Sequence, residues 1–139
     1  MLAAQQRLYP ERRDLRLYLA EALTNSDNPT QAQTLLKPLT QQQPNDRYAW
    51  QSLQLANEKI AKTTTSSQLA EIATINAVRY RSHDQLWNGR YDSALTSLTQ
   101  AQQLAEQMQA SAQASSARPL LANIAQEVKN VKTAKDYKP

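Results

Sequence analysis

Pro10 and Pro44 stand 34 positions apart, and the residues around them run in parallel: Tyr9-Pro10-Glu11 against Gln43-Pro44-Asn45, then Leu19 and Ala22 against Leu53 and Ala56. A period of that length, closed by a residue that cannot continue a helix, matches one helix-turn-helix unit. Such a unit cannot bury its apolar face on itself and must stack on neighbours of the same kind. The spacing therefore predicts an all-α solenoid of antiparallel helical hairpins. It also predicts that Pro10 closes a unit whose front half would precede the chain, so that residues 1–10 form the end of a truncated upstream repeat.

Composition supports thin helix-on-helix layers. The chain of 139 residues fits a single domain, one that could bury roughly two-thirds of its unfolded surface. It is 40% hydrophobic with no Phe, its mean hydropathy is −0.71, and its apolar residues are mostly Leu and Ala. One glycine, Gly89, and a scarcity of Val and Ile leave little from which to build strands and their turns. The absence of cysteine removes disulfides, Cys-ligated zinc and thiol nucleophiles, and leaves the compartment open. No apolar run is long enough to span a membrane, and the first six residues have no signal-peptide core, so any export signal is expected upstream. The net charge of +4 comes from scattered Arg and Lys, the pattern of a solvated surface rather than a nucleic-acid patch.

The 34-residue unit with its signature small and large positions is that of a tetratricopeptide (TPR) repeat. Placing Pro44 at its close sets repeat one at 13–46, with Leu19, Ala20 and Leu23 in its first helix and Ala32, Leu36 and Leu39 in its second. Asp27 or Asn28 is the expected N-cap between them, with Pro29 at N1. Repeat two, at 47–88, starts regularly with Asp46 as cap and Trp50, Leu53 and Ala56 inside, but Val78 stands where its closing Pro should be. Its first helix should end near Lys62, since Thr63-Thr64-Thr65-Ser66-Ser67 favours caps over helix interior. Ser67 with Glu71, or Thr65 with Gln68, is the expected restart. A long stripe, Leu69, Ile72, Ala73, Ile75, Ala77, Val78, Leu86 and Trp87, then runs to Asn88-Gly89.

Gly89-Arg90-Tyr91-Asp92-Ser93-Ala94, followed by Leu95, Leu98 and Ala101, reads as the turn between the two helices of a third repeat spanning 75–110. Residues 69–88 are then either the first helix of repeat three or the second helix of repeat two; spacing alone allows both. After a Gln/Ala/Ser-rich stretch fraying near Ser111, a capping helix is expected at 117–133, from about Arg118 to Lys132. Its apolar side holds Leu120, Leu121, Ile124, Val128 and Val131, and its outer side Gln126, Glu127, Lys129 and Asn130.

Catalytic chemistry finds little support. His83 is the only histidine, so neither a His-Glu-x-x-His zinc site nor a triad with a spare base can be assembled, and one glycine cannot make a phosphate loop. His83 therefore reads as a groove or surface residue. Asp14 and Glu21, seven positions apart, read as solvated charges. No cofactor and no metal is expected in this chain. The first helices of a TPR array line its concave face, and their outward positions give candidate contacts: Tyr18 and Glu21 in repeat one, Tyr48, Gln51 and Lys59 in repeat two, and Asn76, Arg79, Tyr80 and His83 in repeat three. Aromatic and Arg side chains are frequent interface anchors.

Residues 69–101, from Leu69-Ala70-Glu71 through Arg90-Tyr91-Asp92-Ser93-Ala94-Leu95, together with the ending Lys135-Asp136-Tyr137-Lys138-Pro139, resemble the C-terminal TPR region of bacterial periplasmic zinc metallopeptidases. The resemblance implies a periplasmic, non-catalytic interaction module acting in outer-membrane protein assembly and quality control. Its partners would be the barrel-assembly machinery or its own protease domain, and zinc would sit only in a peptidase domain ahead of it. The other reading is a free-standing TPR adaptor or co-chaperone that binds peptide segments. Neither calls for nucleic acid or membrane insertion, and both leave self-association open.

Overall fold

The computed structural model describes residues 12–111 and 113–137. Pro10 and the expected upstream repeat end at 1–10 lie outside the described residues, as do Lys138 and Pro139 of the tail. Among the described residues the chain is an all-α, TPR-like solenoid of six helices without strands: α1 (Arg13–Asn25), α2 (Pro29–Gln42), α3 (Arg47–Thr63), α4 (Ser67–Trp87), α5 (Tyr91–Gln109) and α6 (Ala114–Asp136).

Each helix packs on the next, as short antiparallel connections require, and two further contacts skip a helix: α1 touches α3, and α4 touches α6. The result is two three-helix layers, each with its own core, joined along the extensive α3–α4 interface. Ala20, Ala32, Leu36, Leu39, Ala49, Leu53 and Ala56 are fully buried in the first core, with Trp50 at its edge. Ile75, Leu98, Met108, Ile124 and Val131 fill the second, interleaved with Ala94, Ala101, Ala105 and Ala117. Alanine at these contacts lets helix axes approach to about 8 Å, which is how a chain without Phe still fills its interior.

Two turns repeat the same geometry. After α1, Asp27 takes φ +68° and the Asn28 amide donates to the Leu23 carbonyl; after α4, Gly89 takes φ +75° and the Arg90 amide donates to the Gln85 carbonyl. Both are Schellman closures, with the left-handed residue five positions before a fully buried alanine, Ala32 or Ala94. The α4–α5 hairpin is thus built like α1–α2. Between α3 and α4 the Thr/Ser run at 63–67 ends one helix and caps the next, so the two pack directly on each other.

The caps differ in detail from expectation. Asp46 does cap α3, accepting from the Tyr48 and Ala49 amides at 3.0 and 3.3 Å. Its other oxygen receives Arg13 Nε at 2.7 Å, which ties α1 to α3. Asn28 occupies the N-cap of α2, but its side chain donates to the Ser26 carbonyl instead of capping. The cap of α4 is Ser66, not Ser67 or Thr65: with extended backbone, its hydroxyl accepts from the Leu69 amide at 3.2 Å. The capping helix is also longer than expected, beginning at Ala114, because Ala117 is fully buried and draws the Ala/Ser stretch into the core.

Candidate functional site

Because α1 and α3 stand side by side, their outward faces make one groove. From α1 it takes Asp14, Leu17, Tyr18, Glu21, Thr24 and Asn25; from α3 it takes Tyr48, Gln51, Ser52, Leu55, Glu58, Lys59, Lys62 and Thr63. Both sets follow the three- and four-residue steps of a single helix face. The groove consists of two adjoining hollows of about 450 and 490 Å³ that share Glu21, Tyr48 and Ser52.

Its walls are mostly polar, with a few large apolar side chains among them. Tyr18 is 60% exposed, Tyr48 74% and Leu55 58%, three large side chains left open along one line. Charge is mixed along it: Asp14 and Glu21 lie on the tyrosine side, and Glu58, Lys59 and Lys62 toward the far ends of the helices. The Asp14 carboxyl is held below the usual range by its hydrogen bonds from Arg12 and the guanidinium's charge. Lys59 reaches Asp27 at 3.0 Å, so the left-handed turn residue also pins one side of the groove.

Five of the nine residues singled out from the sequence meet here: Tyr18, Glu21, Tyr48, Gln51 and Lys59. Gln51 also donates to Asp84 at 3.2 Å, beside Arg47 at 2.8 Å, and so helps latch α3 to α4. Leu55 completes the apolar line. Lys62 and Thr63 are additional lining residues; in the sequence they fall where the helix was expected to end and carried no separate signal.

The other four lie elsewhere. Asn76, Arg79, Tyr80 and His83 belong to the joint between the layers, not to an open face. Tyr80 is 8% exposed and packs into the first core against Trp50; burial raises its phenol pKa, with the Arg79 charge opposing. Arg79 donates to Asn76 Oδ1 at 2.7 Å and grips Glu127 with two bonds of 2.7 and 3.1 Å. His83 is partly buried on the wall of a second depression: Nε2 meets the second Glu127 oxygen at 2.6 Å, and its ring stacks on Trp50.

Glu127, expected on the outer polar face of the capping helix, is itself buried at 8% exposure. Burial alone would raise its carboxyl pKa, but hydrogen bonds from His83 and Arg79 and the guanidinium's charge outweigh this and hold it below the usual range. The signal was present in spacing: Glu127 is three residues after Ile124 and four before Val131, squarely on the apolar stripe. A carboxylate there needs an internal cation. The joint is therefore a structural ion-pair network.

Among the described residues no cluster of three or more His, Cys, Asp or Glu could hold a metal, and no helix is long and apolar enough to cross a membrane. No curated protein and no solved structure shows significant similarity to the chain. Residues 1–56, which include α1, α2 and the first part of α3, match the family described as tetratricopeptide repeat. This stretch contains the α1 side of the groove and its α3 side as far as Leu55.

Proposed function

We propose that this chain is a protein-interaction module and that the α1–α3 groove is its contact surface. One observation carries the reading: Tyr18, Tyr48 and Leu55 stand exposed in line along a continuous groove between two first-type repeat helices. Exposed aromatics in a depression lower the cost of binding, since they bring large apolar area and little side-chain entropy to lose. The match of residues 1–56 to a tetratricopeptide repeat supports a role in protein–protein contact.

The finer form of the proposal follows from the resemblance of residues 69–101 and the tail. In it, the module belongs to a periplasmic zinc metallopeptidase and places that protease on the outer-membrane assembly machinery or its substrates. An adaptor that binds peptide segments is the second reading, and Lys62 at the far end of the groove favours it, although Glu58 stands beside it. Lys62 carries no ion pair among the described residues and lies near Asn25, where a peptide carboxylate would find one unpaired ammonium group and an amide, with Lys59 held by Asp27 close by.

Panning the whole chain against a displayed library of short peptides tests the contact surface. Selected peptides should lose at least about tenfold in affinity on Tyr48→Ala or Tyr18→Ala and keep it on surface changes to α5. Peptides indifferent to both tyrosines would sink the groove assignment. The reading frame ahead of this chain separates the finer readings: a His-Glu-x-x-His helix there supports the protease parent, and a frame without one supports the adaptor.

A further inference from the structure

The α4–α5 turn is the one place in the chain where an asparagine precedes a glycine, Asn88-Gly89. Both residues are exposed. Asn88 donates its main-chain N–H to the Asp84 and Gln85 carbonyls, while its carboxamide makes no hydrogen bond among the described residues. Space is open beside Gly89, where an added Cβ would meet nothing within 4 Å.

That pairing carries its own chemistry. The peptide nitrogen of Gly89 can attack Cγ of Asn88: the N–Cγ bond forms, the Cγ–Nδ2 bond breaks, and ammonia leaves with the peptide proton. Water then opens the resulting cyclic imide. Opening at Cγ leaves aspartate, and opening at the main-chain carbonyl leaves isoaspartate, in which the chain runs through the side-chain carboxyl carbon. A side chain on the following residue would shield the attacking nitrogen, and glycine has none.

The folded turn withholds the reaction. Ring closure needs the Gly89 nitrogen to eclipse Asn88 Cβ, whereas ψ at Asn88 is 4° and turns that nitrogen away. The Gly89 N–H also donates to the Leu86 carbonyl at 3.0 Å, and that of Arg90 to the Gln85 carbonyl at 2.9 Å. Fraying of this exposed helix end releases both bonds together, and such ends open at small cost. In the matching turn after α1, Ser26 and Asp27 stand in the places of Asn88 and Gly89, so it holds no such pair.

We propose that Asn88 is a site of spontaneous deamidation, gated by opening of the α4–α5 turn, and that its products loosen the joint between the two layers. The new carboxylate sits at the negative end of the α4 dipole, with Asp84 one turn earlier. Isoaspartate also adds a methylene to the main chain and so misaligns the Schellman bonds. His83 and Asp84, which hold Glu127 of α6 and Arg47 of α3, lie close to that end of the helix.

Incubating the whole chain at mildly alkaline pH, below its melting transition, beside a synthetic peptide of residues 85–92 tests this. Mass spectrometry of digests reads the amide-to-acid change at each asparagine, and an isoaspartyl methyltransferase reads isoaspartate. Position 88 should convert first among the asparagines, about tenfold more slowly than in the peptide. His83 is the only histidine, so its ring resonances, shielded by the Trp50 indole 3.9 Å away, report the joint directly. They should move toward unshielded positions in the aged chain. Asn88→Gln, whose longer side chain closes its ring far more slowly, should keep both its mass and its His83 signals through the same incubation. An intact position 88 after the peptide has converted would overturn the proposal, as would earlier conversion of another asparagine. Conversion as fast as in the peptide would overturn the gate, and unmoved His83 signals in the converted chain would overturn the loosened joint.

Discussion

The imidazole of His83 lies flat on the indole of Trp50, ring centroids 3.9 Å apart and planes 8° from parallel. Trp50 belongs to the first core, while Glu127, which holds the far side of the same imidazole, extends from α6 beside the second. One ring thus links α3, α4 and α6. Where the repeat register fails and α3 meets α4 without an intervening helix, a stacked and ion-paired network fixes how the two layers meet. The α1–α3 groove is carried on a platform whose angle this joint sets.

Removing the carboxylate should expose the cost of that arrangement. The side chains of Arg79 and Glu127 are only 12% and 10% exposed, so Glu127→Ala leaves a guanidinium buried without its counter-ion and should destabilise by about 3 kcal/mol. The double change Arg79→Met with Glu127→Leu should recover most of that loss, because a buried ion pair is replaceable by apolar groups of similar volume. Urea denaturation of the three variants and the parent checks both expectations.

The same network sets the response to acid. The folded-state pKa of Glu127 lies below its unfolded value, so its stabilisation is present above the unfolded carboxylate pKa, about 4.3, and is lost as pH falls through the folded value. The stability gap between the parent and Glu127→Gln should be widest near neutral pH and shrink below about pH 4. A gap that widens in acid would contradict the assignment. Urea midpoints at several pH values measure it.

Much of this architecture can be read from the chain. The spacing of Pro10 and Pro44, the buried positions Ala20, Leu36 and Leu39, and the Gly89 turn each follow from local chemistry. The joint does not. Arg79, Tyr80 and His83 occupy positions that would face outward if α4 opened a third repeat, but Trp50 of α3 covers Tyr80 and His83, and α6, 44 to 48 residues later, brings Glu127 to Arg79 and His83. Periodicity reports which residues share a face, not what long-range neighbour covers it. Glu127, expected on the outer face, lies inside, although its spacing from Ile124 and Val131 already puts a lone charge on the apolar stripe, where it needs a partner. Tyr18 and Tyr48 stay exposed, as their outward positions suggest, because no described residue comes back to cover them.

Ser66 and Ser67 are neighbours with similar chemistry, yet their substitution should differ. The Ser66 hydroxyl accepts from the Leu69 amide and satisfies one of the unpaired donors at the start of α4. Ser66→Ala should therefore cost about 1 kcal/mol. Ser67 is exposed in the first turn, and Ser67→Ala should change stability by less than about 0.5 kcal/mol. Thermal melts of the two single variants decide it, and equal effects would move the cap.

The two Schellman turns predict changes of opposite sign. At Gly89, φ is +75° and a Cβ would meet nothing within 4 Å, so Gly89→Ala suffers no clash and only the left-handed backbone penalty. It should destabilise by about 1 kcal/mol. At Asp27 that penalty is already present, at φ +68°, so Asp27→Gly relieves it. The change also gives up the ion pair with Lys59, but Asp27 is 84% exposed there, and an exposed pair contributes little. Glycine's greater freedom in the unfolded chain offsets part of the gain, leaving a net stabilisation of a few tenths of a kcal/mol. Urea midpoints should thus move down for Gly89→Ala and slightly up for Asp27→Gly. A fall in both would mean that the Asp27–Lys59 contact, and with it the edge of the groove, holds the first turn more strongly than an exposed ion pair can.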